Sequence, residues 1–256
     1  MLVTTDTMKN SVLHHPEDYD GVTVEGFLQF AGERVLETHP QTEAVRLSVD
    51  GLPCDERPVP GDDEDGVEPS DPVFGVSHGE SGYGERRLVG DGAGNGPVIE
   101  DHRSGVAGIE LIRLKDDSLA GHVRDEYTTP PEHENRTPSV PMDVSWTYAE
   151  PTAALGEEPR EYVPAERVRD VARGCIHEND ANSIQPLYLT GPRVLGRVPQ
   201  LETGSSEADD HTWITERDDQ EGGGKALHEP PRPAGDQQFS TARSDLETEG
   251  SGWAPA

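Results

Sequence analysis

The imbalance between acidic and basic side chains constrains this chain more than any other feature of its sequence. The 256 residues carry 51 aspartates and glutamates against 21 lysines and arginines, a formal net charge of −30 at pH 7. Only three of the basic residues are lysines, at Lys9, Lys115 and Lys225. Such a charge repels itself and destabilises a compact state in dilute salt. At 1 M salt the Debye length falls to about 3 Å, so a fold can carry this surface in brine.

The same balance of charges resembles the composition of proteins from extremely halophilic archaea. Carboxylates hold water and cations tightly, whereas a lysine exposes a long apolar stem. The composition therefore favours a protein that works in concentrated salt. The alternative is an acidic, partly disordered protein from an ordinary habitat.

The charge also argues against several classes of partner. No basic stripe is present, so we expect no direct, sequence-specific contact with nucleic acid. No run approaches the roughly 18 apolar residues that a membrane span needs, and the first 20 residues lack the plan of a secretory signal. Cys54 and Cys175 are too few for a disulfide framework, and their pairing stays open.

The chain is poor in material for a core. Only 31% of its residues are hydrophobic, and it contains 28 glycines and 22 prolines. We estimate apolar material for about 150 packed residues. Burial against neighbouring subunits would supply what the core lacks.

Periodic apolar residues predict two helices and several strands. The predicted helices span 23–38 and 164–178, and the predicted strands include 44–50, 142–148, 193–199 and a hairpin over 105–127. Residues 53–97, rich in proline, glycine and acids, are interpreted as a long loop or extended arm, broken by short strands near Val73–Val76 and Arg86–Val89. We expect an α+β fold: a small mixed or antiparallel sheet with two helices, a long extended arm and an irregular C-terminal tail.

This pattern divides the chain into three parts. They are an irregular N-terminal segment at 1–20, a core domain at 21–201 with the insertion 53–97, and an acidic tail of low hydrophobicity at 202–256.

The charge is distributed unevenly along the chain, and this suggests an interface. Residues 151–200 hold seven acids and six arginines, a net charge of −1, whereas residues 51–100 and 201–256 each have a net charge of −9. Because arginine pairs well with carboxylates at interfaces, the near-neutral helix is a candidate contact surface. The alternative is an ordinary amphipathic helix with a charged outer face. The candidate interface residues are Arg167, Val168, Val171 and Arg173 in the helix and the isolated tryptophans Trp213 and Trp253 in the tail.

The densest group of possible metal ligands lies near the N-terminus. His14, His15 and Asp18 combine imidazole and carboxylate, which suit transition metals. The group lies in an irregular segment without a ligand spacing such as HExxH, so we predict no metal site and no cofactor. Neither a nucleophile elbow nor a phosphate loop is present.

The order helix, strand, long arm, hairpin, strand, helix and short strand resembles that of the tail terminators of tailed viruses. The resemblance covers about half of the chain, in the segments 23–38, 44–50, 105–127, 142–148, 164–178 and 193–199. It implies a non-enzymatic virion subunit of a virus that infects halophilic archaea, a tail terminator or head–tail connector. Such a subunit would form a ring-shaped homo-oligomer in the neck or tail, contact other neck and tail proteins, and be assembled in the host cytoplasm. The alternatives are a soluble haloarchaeal metal-dependent hydrolase that uses the His14–His15 group, and a virion or cell-surface decoration protein.

Overall fold

The computed structural model describes residues 4–60, 66–76, 79–90, 96–114, 126, 137–155, 160–178, 185–209, 211–219, 224–228 and 236–248. The helices are α1 (Thr5–His14), a 3-10 turn (His15–Asp18), α2 (Val24–Thr38), α3 (Ala165–Glu178), α4 (Gln185–Arg197) and α5 (Arg243–Thr248). The strands are β1 (Ala44–Asp50), β2 (Cys54–Pro60), β3 (Val67–Val76), β4 (Ser81–Val89), β5 (Val98–Ile112), β6 (Thr137–Tyr148), β7 (Leu201–Asp209), β8 (His211–Asp219), β9 (Gly224–His228) and β10 (Asp236–Ala242). Within these ranges no helix is long and apolar enough to cross a membrane.

An eight-stranded antiparallel sheet forms the centre of the protein. Its main path is β1-β4-β5-β6-β7-β10, and β8 and β9 continue it beside the start of β6. Strands β2 and β3 pair only with each other, in a separate two-stranded sheet. The sheet therefore joins segments from both halves of the chain.

Strand β6 shows how the sheet acquires one buried face. Met142, Val144, Trp146 and Tyr148 are each at most 2% exposed, and they alternate with residues of the opposite, more polar face. This alternation is typical of an antiparallel sheet that is covered on one side only. The buried face receives the helices.

Helix α2 packs on the first strands of the sheet. Thr23 caps its start, since the Thr23 hydroxyl accepts a hydrogen bond from the backbone N–H of Gly26 at 3.1 Å. A Cβ at Gly84 of β4 would lie 3.0 Å from Val24 and 3.1 Å from Leu28, so glycine lets the helix approach the strand closely. The predicted helix 23–38 is confirmed as α2, and the predicted strand 44–50 as β1.

Helices α3 and α4 cover the other half of the same face. Val168, Val171, Ala172 and Cys175 of α3 and Val194 and Leu195 of α4 belong to one buried cluster with the apolar residues of β6. The predicted helix 164–178 is confirmed as α3. The predicted strand 193–199 is wrong, because its residues up to Arg197 belong to α4 despite Pro192 inside that helix.

The predicted fold class is wrong: this is neither a small sheet with two helices nor an arm followed by an irregular tail. Ser81–Val89, inside the predicted arm, forms β4 between β1 and β5. Leu201–Asp209, at the start of the predicted tail, forms β7 between β6 and β10. Both strands present small residues to the helices, among them Gly82, Gly84 and Gly204, so the apolar alternation that signals a strand is weak. The division of the chain at residues 20 and 201 stays a prediction.

Candidate active site

Strand β6 pairs along its length with two successive strands, β7 and β8. Strand β7 pairs with the later part of β6, whereas β8 pairs with its first residues. The backbone register places His211 opposite Ser139 and Trp213 opposite Thr137. The pairing of β8 with β6 therefore makes neighbours of residues that are about 75 positions apart in sequence.

The N-terminus of α4 points towards the same end of the sheet. A Cβ at Gly191 would lie 3.0 Å from the carbonyl oxygen of Gly204, so the helix rests directly on β7. One turn earlier, the ring of Tyr188 lies 3.9 Å from the ring of Phe239, centroid to centroid, and Phe239 pairs with Ser206. The first residues of α4 thus approach the end of β7. The N-terminus of a helix carries a partial positive charge, which acts on groups near this end of the strand.

Buried hydroxyl groups are concentrated along this part of the sheet. Thr137 and Ser139 are fully buried, and Ser206 is 1% exposed. The Ser139 hydroxyl donates a 3.4 Å hydrogen bond to Oε1 of Glu110 on β5. Thr137 and Ser139 are thus enclosed by the protein at the point where β6 pairs with β8.

Trp213 has a buried donor without an acceptor among the described residues. Its indole Nε1 is inaccessible to solvent, and no described residue accepts a hydrogen bond from it. An unpaired buried N–H costs free energy unless another molecule satisfies it. We call the residues Thr137, Ser139, His211 and Trp213, with the N-terminus of α4, the β6–β8 site.

A second polar cluster lies beneath α2. Oε1 of Glu25 accepts hydrogen bonds from Ser104 at 2.6 Å and from the hydroxyl of Tyr148 at 3.5 Å. The Tyr148 hydroxyl in turn accepts from the backbone N–H of Val163 at 3.1 Å. Burial, together with the charge of Glu25, raises the pKa of the Tyr148 phenol well above its usual range, and raises the pKa of Tyr162 to about 12. These phenols stay protonated at any physiological pH.

Arg86 and His102 complete this cluster. The Arg86 guanidinium donates to Oε1 of Gln29 at 3.2 Å and to the carbonyl oxygen of Pro151 at 3.1 Å. Nε2 of His102 accepts from the backbone N–H of Tyr148 at 2.9 Å, and burial beside Arg86 lowers the pKa of this imidazole. Most of these groups bond to one another inside the protein, while Oε2 of Glu25 and Nε of Arg86 are buried without a hydrogen-bond partner among the described residues. We therefore interpret the cluster as a set of polar contacts that hold α2 on the sheet.

The predicted metal ligands lie apart from both clusters. His14 ends α1, and Asp18 lies in the following 3-10 turn, both exposed to solvent. Nothing is described of the His15 side chain. Among the described residues no group of three or more histidine, cysteine, aspartate or glutamate side chains could hold a metal ion.

The candidate interface residues of α3 have partners within the chain. Val168 and Val171 are 0% and 5% exposed in the core. Arg167 donates to the carbonyl oxygen of Arg197 at 3.0 Å, and Arg173 donates to both carboxylate oxygens of Glu80 at 2.7 and 3.0 Å. A role of these residues in an interface stays a prediction.

Of the two candidate tryptophans the structure describes Trp213, and it describes both cysteines. Trp213 lies in β8 within the β6–β8 site, whereas Trp253 lies outside the described residues. Cys54 is exposed, Cys175 is buried, and the two form no disulfide.

The sequence reasoning missed most of the β6–β8 site. The sequence marks Trp213 only as an isolated apolar residue, and no motif marks His211, Thr137 or Ser139. The residues around them are rich in proline and acids, and the sequence therefore predicts a tail of low hydrophobicity at 202–256. The available signal was the alternation of small residues at Gly204, Ser206 and Ala208, which a search for large apolar residues overlooks.

Comparison with known proteins places these elements in one family. Residues 102–237 match the family model described as Uricase. This range is more than half of the chain, and it contains every residue of the β6–β8 site.

Three relatives match nearly the whole chain. The sequence is 54% identical over 247 residues to the uricase of Halalkalicoccus jeotgali, covering 96% of this chain and 79% of that protein. It is 51% identical to the uricase of Haloferax volcanii, covering 96% of this chain and 80% of that protein. It is 36% identical to the uric acid degradation bifunctional protein of Bacillus subtilis, covering 97% of this chain and 50% of that protein.

Solved structures agree with the sequence comparison. The uricase from Bacillus fastidious superposes with a TM-score of 0.86 at 34% identity, covering 98% of this chain and 77% of that chain. A hyperthermostable mutant of the Bacillus sp. TB-90 urate oxidase superposes with a TM-score of 0.85 at 34% identity, covering 95% and 79% of the two chains.

These findings overturn the functional interpretation of the sequence. The resemblance to tail terminators is wrong, and so are the non-enzymatic virion role, the location in a virion and the neck and tail partners. The alternatives of a metal-dependent hydrolase and of a decoration protein are wrong for the same reason. The error arose because an order of helices and strands, without a motif, is shared by many unrelated folds. The chain belongs to the uricase family.

Proposed function

We propose that this protein is a urate oxidase, an enzyme that transfers electrons from urate to dioxygen. The observation that carries the proposal is the 54% identity to the uricase of Halalkalicoccus jeotgali, which extends over 96% of this chain. The superposition on the Bacillus fastidious uricase, with a TM-score of 0.86, supports it independently of the haloarchaeal relatives.

We propose that urate binds at the β6–β8 site. Urate is a flat purine whose rim carries carbonyl oxygens and N–H groups. The unpaired indole N–H of Trp213 can donate to one of these acceptors, and the buried hydroxyls of Thr137 and Ser139 lie on the neighbouring strand. Satisfying a buried donor favours a substrate that carries an acceptor over an apolar molecule of the same shape.

Oxidation of urate removes protons as well as electrons, so the site needs a group that transfers protons near neutral pH. An imidazole suits this task, because its ordinary pKa lies close to neutrality. His211 begins β8, and the backbone pairs it with Ser139. We propose His211 as the residue that transfers this proton.

The experiment is an assay of the purified chain in concentrated KCl. We expect the ultraviolet absorption of urate to disappear while dissolved oxygen is consumed in step with it. Xanthine, which lacks one carbonyl group of urate, is the matched control, and we expect that it is not oxidised. Failure of the folded protein to consume urate at any salt concentration would contradict the proposal.

A further inference from the structure

An open pocket lies beside α2 and shares no residue with the β6–β8 site. It has a volume of about 210 Å³, and aromatic rings, polar groups and an apolar side chain line it. The rings belong to Tyr19 and Phe30, the polar groups to Gln29 and Glu33, and the apolar side chain to Leu155. Because all but Leu155 lie outside the range matched by the family model, nothing in the family match assigns this pocket a role.

The aromatic wall of the pocket is fixed before any ligand arrives. The hydroxyl of Tyr19 donates a 2.9 Å hydrogen bond to the carbonyl oxygen of Thr23. A Cβ at Gly21 or at Gly26 would lie 2.2 Å from the Tyr19 hydroxyl oxygen, so both glycines are needed for the ring to lie here. The Tyr19 and Phe30 centroids are 5.6 Å apart. A wall held in this way costs little ordering entropy when a ligand binds.

Gln29 fixes the orientation of the carboxylate in the pocket. Its Oε1 accepts a 3.2 Å hydrogen bond from the buried guanidinium of Arg86, so its Nε2 must face the other way. That Nε2 donates to Oε1 of Glu33 at 2.6 Å. Among the described residues none donates to Oε2 of Glu33, which leaves this oxygen available to a ligand.

The chemistry of the pocket favours a flat cation. Among the described residues, Glu33 is the one charged side chain in its lining. The guanidinium of Arg34 already lies 5.4 Å from the Phe30 centroid, which shows that this ring accepts a planar cation. A guanidinium group can stack on an aromatic face and also donate two N–H groups to a carboxylate, whereas an ammonium or a potassium ion cannot do both.

We propose that this pocket binds a small organic cation that carries a guanidinium group, stacked against Tyr19 and Phe30 and paired with Glu33. The pocket has room for a small molecule. The strongly negative charge of the chain raises the local concentration of cations around it.

The test is a calorimetric or ligand-observed NMR titration of the full chain in concentrated KCl, with ethylguanidinium as the probe. The neutral analogue ethylurea has nearly the same shape, so it reports on binding by shape alone. We expect saturable binding of ethylguanidinium and none of ethylurea. Equal binding of the two, or no saturable binding of ethylguanidinium to the folded chain, would overturn the proposal.

Matched variants test whether ethylguanidinium binds in this pocket. We expect Glu33→Gln to weaken ethylguanidinium binding about tenfold and Phe30→Leu to weaken it by a similar factor. The controls are Glu37→Gln, whose side chain is 68% exposed one turn further along α2, and Phe74→Leu, at a residue that is 54% exposed in the separate β2–β3 sheet. Both controls should bind the probe as the wild type does. Unchanged binding in Glu33→Gln, with its melting temperature preserved, would contradict the proposal whatever the outcome for urate.

Discussion

Ser104 on β5 donates a 2.6 Å hydrogen bond to the carboxylate of Glu25 on α2, and both residues are more than nine-tenths buried. The charge of Glu25 also favours the buried guanidinium of Arg86. One carboxylate thus connects a helix to two strands of the sheet.

The first prediction concerns this carboxylate. Glu25→Ala removes the acceptor of Ser104 and the negative charge that most favours the Arg86 guanidinium, so we expect a loss of about 3 kcal/mol in the free energy of unfolding. Chemical denaturation in concentrated KCl measures it. The control Glu37→Ala removes an exposed carboxylate from the same helix and should change stability by less than about 0.5 kcal/mol. Equal effects of the two variants would contradict the role of Glu25.

The second prediction compares two glycines of α4. A Cβ at Gly191 would lie 3.0 Å from the carbonyl oxygen of Gly204 and 3.2 Å from the Thr241 hydroxyl, whereas a Cβ at Gly196 would meet nothing within 4 Å. Gly191→Ala should therefore destabilise the protein by about 1–3 kcal/mol through overpacking. Gly196→Ala should stabilise it by about 0.5–1 kcal/mol, because alanine is the better helix former. Thermal unfolding of the two variants would show shifts of opposite sign, and shifts of the same sign would refute the close packing of α4 on β7.

Gly191 also shows why some helices can be predicted from the sequence and others cannot. Helices α2 and α3 were predictable because large apolar residues recur on one face, as Val168, Val171 and Cys175 do in α3. Helix α4 was not, since Gly191 and Pro192 interrupt its pattern, and its stability comes from contact with β7 rather than from helix propensity.

The β6–β8 site was less predictable than the helices. Its residues converge only when β7 and β8 pair with successive parts of β6, a long-range register that no local pattern specifies. The charge pattern did indicate a salty habitat, and the most similar relatives reported above come from Halalkalicoccus and Haloferax. Charge alone is an argument about solvent and solubility, not about fold.

The third prediction concerns pH. Burial lowers the pKa of His102 below its ordinary value of 6.5, so as the pH falls the unfolded chain takes up this proton before the folded one. Stability from the neutral imidazole is therefore complete above pH 6.5 and is lost as the pH falls through the lower folded pKa. His102→Gln keeps an acceptor for the backbone N–H of Tyr148 but does not titrate.

Melting temperatures of the wild type and of His102→Gln between pH 8 and about pH 5 check this sign. The wild type should lose more stability than the variant below pH 6.5. His14→Gln alters an exposed histidine and should follow the wild-type curve. A parallel decline of His102→Gln and wild type would show that another group governs the acid limb.

The fourth prediction concerns the unpaired donor of the β6–β8 site. Trp213→Phe keeps an aromatic ring but removes the indole N–H, so the KM for urate should rise about threefold to tenfold, the effect of one lost hydrogen bond. Trp253→Phe makes the same chemical change outside residues 102–237 and should leave KM unchanged. Steady-state kinetics with urate measures both, and an unchanged KM in Trp213→Phe would remove Trp213 from the binding site.

The fifth prediction separates two histidines of neighbouring strands. His211 begins β8 opposite Ser139, whereas His228 ends β9, and its Nδ1 lies 2.8 Å from a carboxylate oxygen of Glu216 on the exposed side of that hairpin. If His211 transfers the proton, His211→Asn should lower kcat at least about 100-fold, while the melting temperature stays near that of the wild type.

His228→Asn should retain full activity, because the same change is made one strand further from β6.

The pH dependence of kcat distinguishes proton transfer by His211 from a purely structural role of this residue. The acid limb of kcat in the wild type should be absent from the residual activity of His211→Asn, since an asparagine does not titrate. A residual activity that keeps this limb would assign the proton transfer to a different residue, even if kcat falls as expected.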